Sequence, residues 1–168
     1  MTDKSDFTAE EWGLLLSSPM IAGIAITAAD PSGVWGLIKE GMSAGWALVE
    51  VRKDTQANSL VKAVAEDFAT SEGRMAARSA LQTRFHGAKL EAIKTTALSE
   101  LRSVSEILRT KAPGDAAAFR TWLKEVARQA AEAGSEGGFL GFGGVAVSEA
   151  EKATLADISL ALTETPSA

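Results

Sequence analysis

The chain of 168 residues has no cysteine, no tyrosine and a single histidine, His86. Cysteine and histidine supply most protein nucleophiles, most zinc and iron ligands and most groups that titrate near neutral pH. Their scarcity excludes disulfide bonds and thiolate chemistry, and one histidine cannot build the paired Glu-x-x-His motifs of di-iron helical bundles. We therefore expect no cofactor, no bound metal and no catalytic residue. The lack of cysteine also agrees with a cytoplasmic location.

Basic residues are fewer than acidic ones, 17 against 22, so the formal net charge is −5. An acidic chain repels nucleic acid and anionic membranes, so we expect neither as a partner. The segment 74–111 departs from this balance, with eight basic and three acidic residues. We interpret it as a basic helix among acidic neighbours, with an anion-binding or acidic-partner face as the alternative.

A long apolar run is nearly present, because Trp12 to Ala29 carries no charge over 18 residues. Glycine, serine and proline interrupt the run, however, and acidic residues precede it, which is the wrong sign for a signal peptide. Ser18-Pro19 resembles the start of a new helix. The sequence therefore predicts a buried helical hairpin here and no membrane span.

Apolar residues recur at helical spacing along the chain, and no useful stretch alternates with period two. This pattern predicts an all-α fold, a single-domain bundle of six or seven helices over residues 8–162, with disordered ends at 1–7 and 163–168. The predicted helices cover 9–17, 19–29, 34–53, 58–70, 74–110, 115–133 and 148–162. Those at 34–53, 88–110, 115–133 and 148–162 are expected to form the centre.

Residues 74–110 are predicted to form either one kinked helix or two. A straight helix of this length would measure about 55 Å, which exceeds the diameter of a compact chain of this size. We expect the bend or break near His86 and Gly87. Capping boxes, in which a hydroxyl and a carboxylate exchange hydrogen bonds with the first helical turn, are predicted at Thr8 with Glu11 and at Ser148 with Glu151.

The first candidate site is Gly41-Met42-Ser43-Ala44-Gly45, which matches the nucleophile-elbow pattern of hydrolases. That chemistry requires a strand before the serine, and none is predicted. Gly41 and Gly45 lie one helical turn apart, and each costs about 1 kcal/mol relative to alanine in a helix interior. We interpret them as a place where a neighbouring backbone packs closely, in this chain or in a second copy.

The second candidate is the glycine-rich segment 137–144, which precedes the last predicted helix. It lacks the Lys-Ser/Thr pair of phosphate loops, and the acidic residues Glu149 and Glu151 follow it, so phosphate binding is disfavoured. Its large apolar side chains predict a core plug, a mobile lid or a hydrophobic interface. These interface or lid residues are Phe139, Leu140 and Phe142.

Tryptophans and carboxylates supply the remaining candidates. Trp35, Trp46 and Trp122 fall on predicted inward faces, where they pack the core or wall a small apolar pocket between helices. A carboxylate-metal site built from Glu40, Glu50, Glu66 and Asp67 is a further alternative, although no Glu-x-x-Glu or Asp-x-x-Asp motif supports it.

The run from Gly144 to Glu151 resembles the repeat start of tellurite-resistance-type helical domains, over less than a tenth of the chain. Gly143 stands where those domains carry an acidic residue, so no site residue follows from the resemblance.

The leading hypothesis is a non-catalytic interaction or scaffold protein that self-associates as a homodimer. The alternatives are a carrier or sensor for a small apolar ligand, and a carboxylate-metal hydrolase.

Overall fold

The computed structural model describes residues 2–29, 57–136 and 147–163. Over these ranges it contains six α-helices and no strand, which confirms the predicted all-α class. The helices are α1 (Ala9–Thr27), α2 (Ser59–Phe68), α3 (Ser71–Phe85), α4 (Ile93–Lys111), α5 (Pro113–Glu136) and α6 (Glu149–Ala161). Short 3-10 turns lie at Lys4–Asp6 and Leu90–Ala92.

Both predicted capping boxes are present. At the start of α1, Thr8 Oγ1 accepts a hydrogen bond from the Glu11 amide at 3.2 Å, and the Glu11 carboxylate accepts one from the Thr8 amide at 2.7 Å. Ser148 and Glu151 make the same exchange before α6, at 3.2 and 2.8 Å. Each box satisfies amides that have no partner within the helix, and this fixes where each helix begins.

The predicted hairpin over 9–29 is wrong, because α1 is one continuous helix with Pro19 in its interior. Of its 19 residues, 13 are buried. It packs chiefly against α3, α4 and α5, with further contacts to α2 and α6. A helix that is covered all round needs apolar or small residues on every face, which explains why its sequence shows no single apolar stripe.

Among the described helices, the one in the middle is α1, which was not among those expected at the centre. We predicted a centre formed by 34–53, 88–110, 115–133 and 148–162. The predicted helix at 34–53 lies outside the described residues. The core contains large, fully buried side chains from α1, α2, α4, α5 and α6, and also that of Leu162, the C-cap residue of α6. They include Leu15, Leu16, Ile21, Leu60, Leu101, Leu108, Phe119, Leu123, Ile158 and Leu162.

The segment 74–110 forms two helices, and the break lies where it was expected. His86 is the C-terminal cap of α3, and Gly87 follows with a φ of +69°. Glycine adopts this left-handed conformation without the steric cost that a β-carbon imposes, so it ends the helix. Helix α5 begins at Pro113, two residues before the predicted start, because proline suits the first helical position.

The expectation of disorder over residues 1–7 is not met at residues 2–7. Asp3 caps the 3-10 turn by accepting a hydrogen bond from the Ser5 amide at 2.7 Å. Phe7 is buried and lies 5.6 Å from Trp12 between ring centroids. Burial of an aromatic ring is enough to tie down a short terminal segment. In the described ranges no helix is both long and apolar enough to cross a bilayer.

Candidate functional site

A groove of about 530 Å³ runs between the N-terminal half of α1 and the middle of α4, with the end of α3 at its side. We call it the α1–α4 groove. It is lined by Glu10, Glu11, Leu14, Arg84, Arg102, Ser103, Glu106 and Ile107. Charged side chains form its rim and two aliphatic side chains its floor, and it is open to solvent.

Arg84, near the end of α3, links three helices at one side of this groove. Its guanidinium pairs with Glu100 of α4 and, through Nη2, lies 3.4 Å from Oε1 of Glu10 of α1. The side chains of Arg84 and Glu100 are only 18% and 17% exposed, whereas that of Glu10 is 86% exposed. The Arg84–Glu100 pair is therefore shielded from water, and the Glu10 contact is a weak one at the surface.

Lys111, the last residue of α4, is held by Glu11 near the start of α1. Its Nζ lies 2.7 Å from Oε2 of Glu11 and 3.4 Å from the carbonyl oxygen of Asp6. The hydrogen bond from Lys111, together with that from the Thr8 amide, holds the pKa of Glu11 below its ordinary value. Glu11 thus stays ionised at neutral pH while it serves as a helix cap and an interhelical anchor.

Glu106 lies on the opposite rim of the groove, where Arg109 binds both of its oxygens from one turn further along α4. The Arg109 guanidinium lowers the pKa of Glu106. A general acid at neutral pH needs a raised carboxyl pKa. Glu11 and Glu106 are shifted in the other direction, so neither is suited to donate a proton.

Arg102 lies on α4 between this groove and a smaller one of about 90 Å³ that α4 forms with α5 and the end of α6. The floor of the smaller groove includes Arg120, which is 7% exposed and donates from Nε to Ser105 Oγ at 3.0 Å. Arg102 itself is exposed. No residue in the described ranges pairs with its guanidinium, so Arg102 presents a cation to the solvent along both grooves.

The structure tests few of the residues singled out from sequence. Trp122 is half-buried on α5 and makes an edge-to-face contact with Phe119, with 5.1 Å between ring centroids. Glu40 and Glu50 of the predicted carboxylate site lie outside the described residues, as do the other residues of the pocket, the close-packing site and the glycine-rich segment, so these sites stay predictions. Those other residues are Trp35, Gly41, Gly45, Trp46, Phe139, Leu140 and Phe142.

His86 and the acidic pair Glu66-Asp67 lie in the described part of the structure, where Asp67 has a structural role. His86 is exposed at the end of α3. Asp67 accepts a hydrogen bond from the Trp12 indole nitrogen at 2.6 Å and pairs with Lys4 at 3.0 Å. Its carboxylate thereby joins the start of the chain to the end of α2. Within the described ranges no cluster of three histidine or carboxylate side chains lies in a metal-binding arrangement.

The groove residues were not identified from sequence as a site, although the basic segment 74–111 pointed toward them. Most of the basic residues of this segment lie on two helices, and some of them pair with acidic residues of other helices, as Lys94 does with Asp157 at 2.9 Å. Glu10 and Glu11 were assigned only to a helix start. Their contacts with Arg84 and Lys111 span 74 and 100 residues of sequence, and no local spacing signals such pairs.

Comparisons of the chain with models of protein families, with curated proteins and with solved structures find no significant match.

Proposed function

We propose that this chain is a non-catalytic interaction protein that associates with itself. The observation that carries the proposal is the α1–α4 groove, an open cleft lined by charges of both signs, most of which are held in ion pairs with neighbouring side chains. Such a cleft has the features of a contact surface. Reaction centres instead hold groups with pKa values tuned toward the working pH.

The ion pairs around the groove support this proposal. The pairs of Arg84 with Glu100 and of Lys111 with Glu11 join α1, α3 and α4 to each other, so the sides of the groove are held in place before a partner binds. A binding surface that is already held in its bound conformation loses less entropy on association.

Light scattering coupled to size-exclusion chromatography tests the proposal. Over a range from about 1 to about 100 µM, an associating protein shows a mass that rises with concentration. We expect the mass to rise from that of the 17.5 kDa chain toward twice that value. A mass that stays at 17.5 kDa at every concentration would contradict self-association.

A further inference from the structure

We infer that the α1–α4 groove is the surface through which two copies of this chain associate, with Glu10 of each copy paired to Arg102 of the other. The inference rests on the self-association proposed above and names the surface and the contact that would produce it. It follows from the balance of charge around the groove, from the two groups left available there and from their places on different helices.

Charge around the groove is balanced, although the whole chain carries −5. The groove is lined by three acidic and two basic side chains. From its edges, Lys111 and Arg109 bind Glu11 and Glu106, and Glu100 binds Arg84, so the groove and these partners hold four charges of each sign. Two acidic proteins repel each other over most of their surfaces, so a locally neutral region is where two copies approach at the lowest electrostatic cost.

Glu10 and Arg102 are the charged groups of the groove that are available to a second molecule. Arg84 remains paired with Glu100 when Glu10 leaves it, and the Glu10 side chain is 86% exposed with a contact of only 3.4 Å. An exposed pair of this kind contributes little, so Glu10 exchanges its partner at small cost. Arg102 has no partner to give up within the described part of the chain.

The two groups lie on different sides of the groove, Glu10 on α1 and Arg102 on α4. A two-fold axis parallel to the groove would place the α1 side of each copy against the α4 side of the other. Every contact in such an isologous interface occurs twice, so one kind of ion pair forms two bonds. Leu14 and Ile107 lie at the groove floor between the charged sides.

A partner of a single charge sign fits this groove less well than a second copy does. An acidic peptide would be attracted by Arg102 but repelled by Glu10. A basic peptide would be attracted by Glu10 but repelled by Arg102. Placing like charges together across an interface costs affinity and prevents binding of the wrong partner. A surface with one available group of each sign is complementary to itself.

Charge reversal tests the contact, with Glu10→Arg and Arg102→Glu measured separately and as an equimolar mixture by sedimentation equilibrium. Each variant alone would place like charges together at both contacts, and we expect its self-association to weaken by about tenfold or more. In a mixed dimer the arginine introduced into one chain would face the glutamate introduced into the other, and the unchanged Glu10 and Arg102 would form the original pair. We expect the mixture to associate within about threefold of the wild type.

Matched controls are Glu66→Arg on α2 and Arg78→Glu on α3, which make the same changes of charge at positions that do not line the groove. We expect both to associate as the wild type does. Circular dichroism checks that each variant is helical. Because mixing cannot repair a folding defect in either chain, recovery in the mixture shows a contact between copies.

Two results would overturn the inference, and they are distinguishable. If the wild type associates but the single variants associate equally well, or their mixture does not recover, the interface lies elsewhere and self-association stands. If the wild type stays monomeric at every concentration, both the interface and the proposed function are wrong.

Discussion

Among the glycines in the described part of the chain, Gly73, in the first turn of α3, is the one where the addition of one methyl group should be most damaging. A β-carbon built on Gly73 would lie 2.0 Å from the carbonyl oxygen of Asp67 and 2.5 Å from its carbonyl carbon. Both atoms belong to the backbone at the end of α2, so no side chain can rotate away. Gly73→Ala therefore forces α2 and α3 apart at the corner that joins them.

The cost follows from what that corner holds. The oxygen must retreat by about 1.5 Å to reach van der Waals separation. It also accepts hydrogen bonds from the Thr70 amide at 2.9 Å and from Thr70 Oγ1 at 2.7 Å. Overpacking costs about 1–3 kcal/mol, and each weakened hydrogen bond about 1 kcal/mol. Alanine regains about 1 kcal/mol of helix propensity, which leaves a net loss of about 2–4 kcal/mol.

Urea denaturation followed by circular dichroism measures this loss, which corresponds to a fall of about 8 °C in Tm for a chain of this size. Gly114→Ala is the matched control, because α5 is helical there and a β-carbon would meet nothing within 4 Å. We expect that variant to be as stable as the wild type or slightly more stable. A Gly73→Ala protein that equals or exceeds the wild type in stability would refute the close approach of α2 and α3.

Three further changes test other contacts by the same denaturation assay. Gly87→Ala should cost about 1 kcal/mol, all of it conformational, because φ is +69° and the space around the new β-carbon is open; no loss would contradict the left-handed φ. Trp12→Phe should cost about 1–2 kcal/mol, because it removes the indole donor to Asp67; an unchanged free energy of unfolding would contradict that bond. Burial raises the pKa of Asp115, but hydrogen bonds from neighbouring side chains outweigh it and lower the pKa below its ordinary value. The stability that Asp115 contributes is therefore complete above its unfolded pKa and is lost as the pH falls through the lower folded pKa. The wild type should be more stable than Asp115→Asn at neutral pH, and this difference in unfolding free energy should shrink below about pH 4. A difference that does not change with pH would contradict the shift.

Local signals account for the parts of the fold that could be predicted. The capping boxes depend on two residues three positions apart, and the break after His86 depends on a glycine that follows it directly. The apolar stripe of α4 reaches the core at Leu101, Val104 and Leu108, as its three- and four-residue steps indicate. Each of these features is determined within about one helical turn of sequence.

The groove could not be predicted in the same way, because its shape depends on contacts between distant segments. Arg84 meets Glu100 only because the chain reverses after α3, and it meets Glu10 only because α1 packs between α3 and α4. An acidic residue in a first turn is already explained by the helix dipole, so Glu10 gave no sign of a second role. Ion pairs between distant segments depend on how the helices pack, so local sequence spacing does not reveal them.

The continuity of α1 through Pro19 was missed for a different reason. Proline has no amide hydrogen, so the carbonyl of Leu15 loses its helical donor, and this cost normally argues for a break. In the structure Ser18 Oγ donates to that carbonyl at 2.7 Å, and both Ser18 and Leu15 are fully buried. The serine that resembled the cap of a new helix supplies the hydrogen bond that lets the old one continue.

This explanation predicts a coupling between Ser18 and Pro19. Ser18→Ala should leave the buried Leu15 carbonyl without a donor and cost about 1–3 kcal/mol in unfolding free energy. In a Pro19→Ala background the amide at position 19 can donate to that carbonyl instead. The cost of Ser18→Ala should therefore be smaller there by about 1 kcal/mol or more, and this difference is the coupling energy between the two positions. Ser17→Ala is the control, since the Leu14 carbonyl that Ser17 Oγ reaches at 3.1 Å keeps its helical donor, the Ser18 amide. Equal costs of Ser18→Ala in the two backgrounds would show that the hydroxyl does not replace the missing amide.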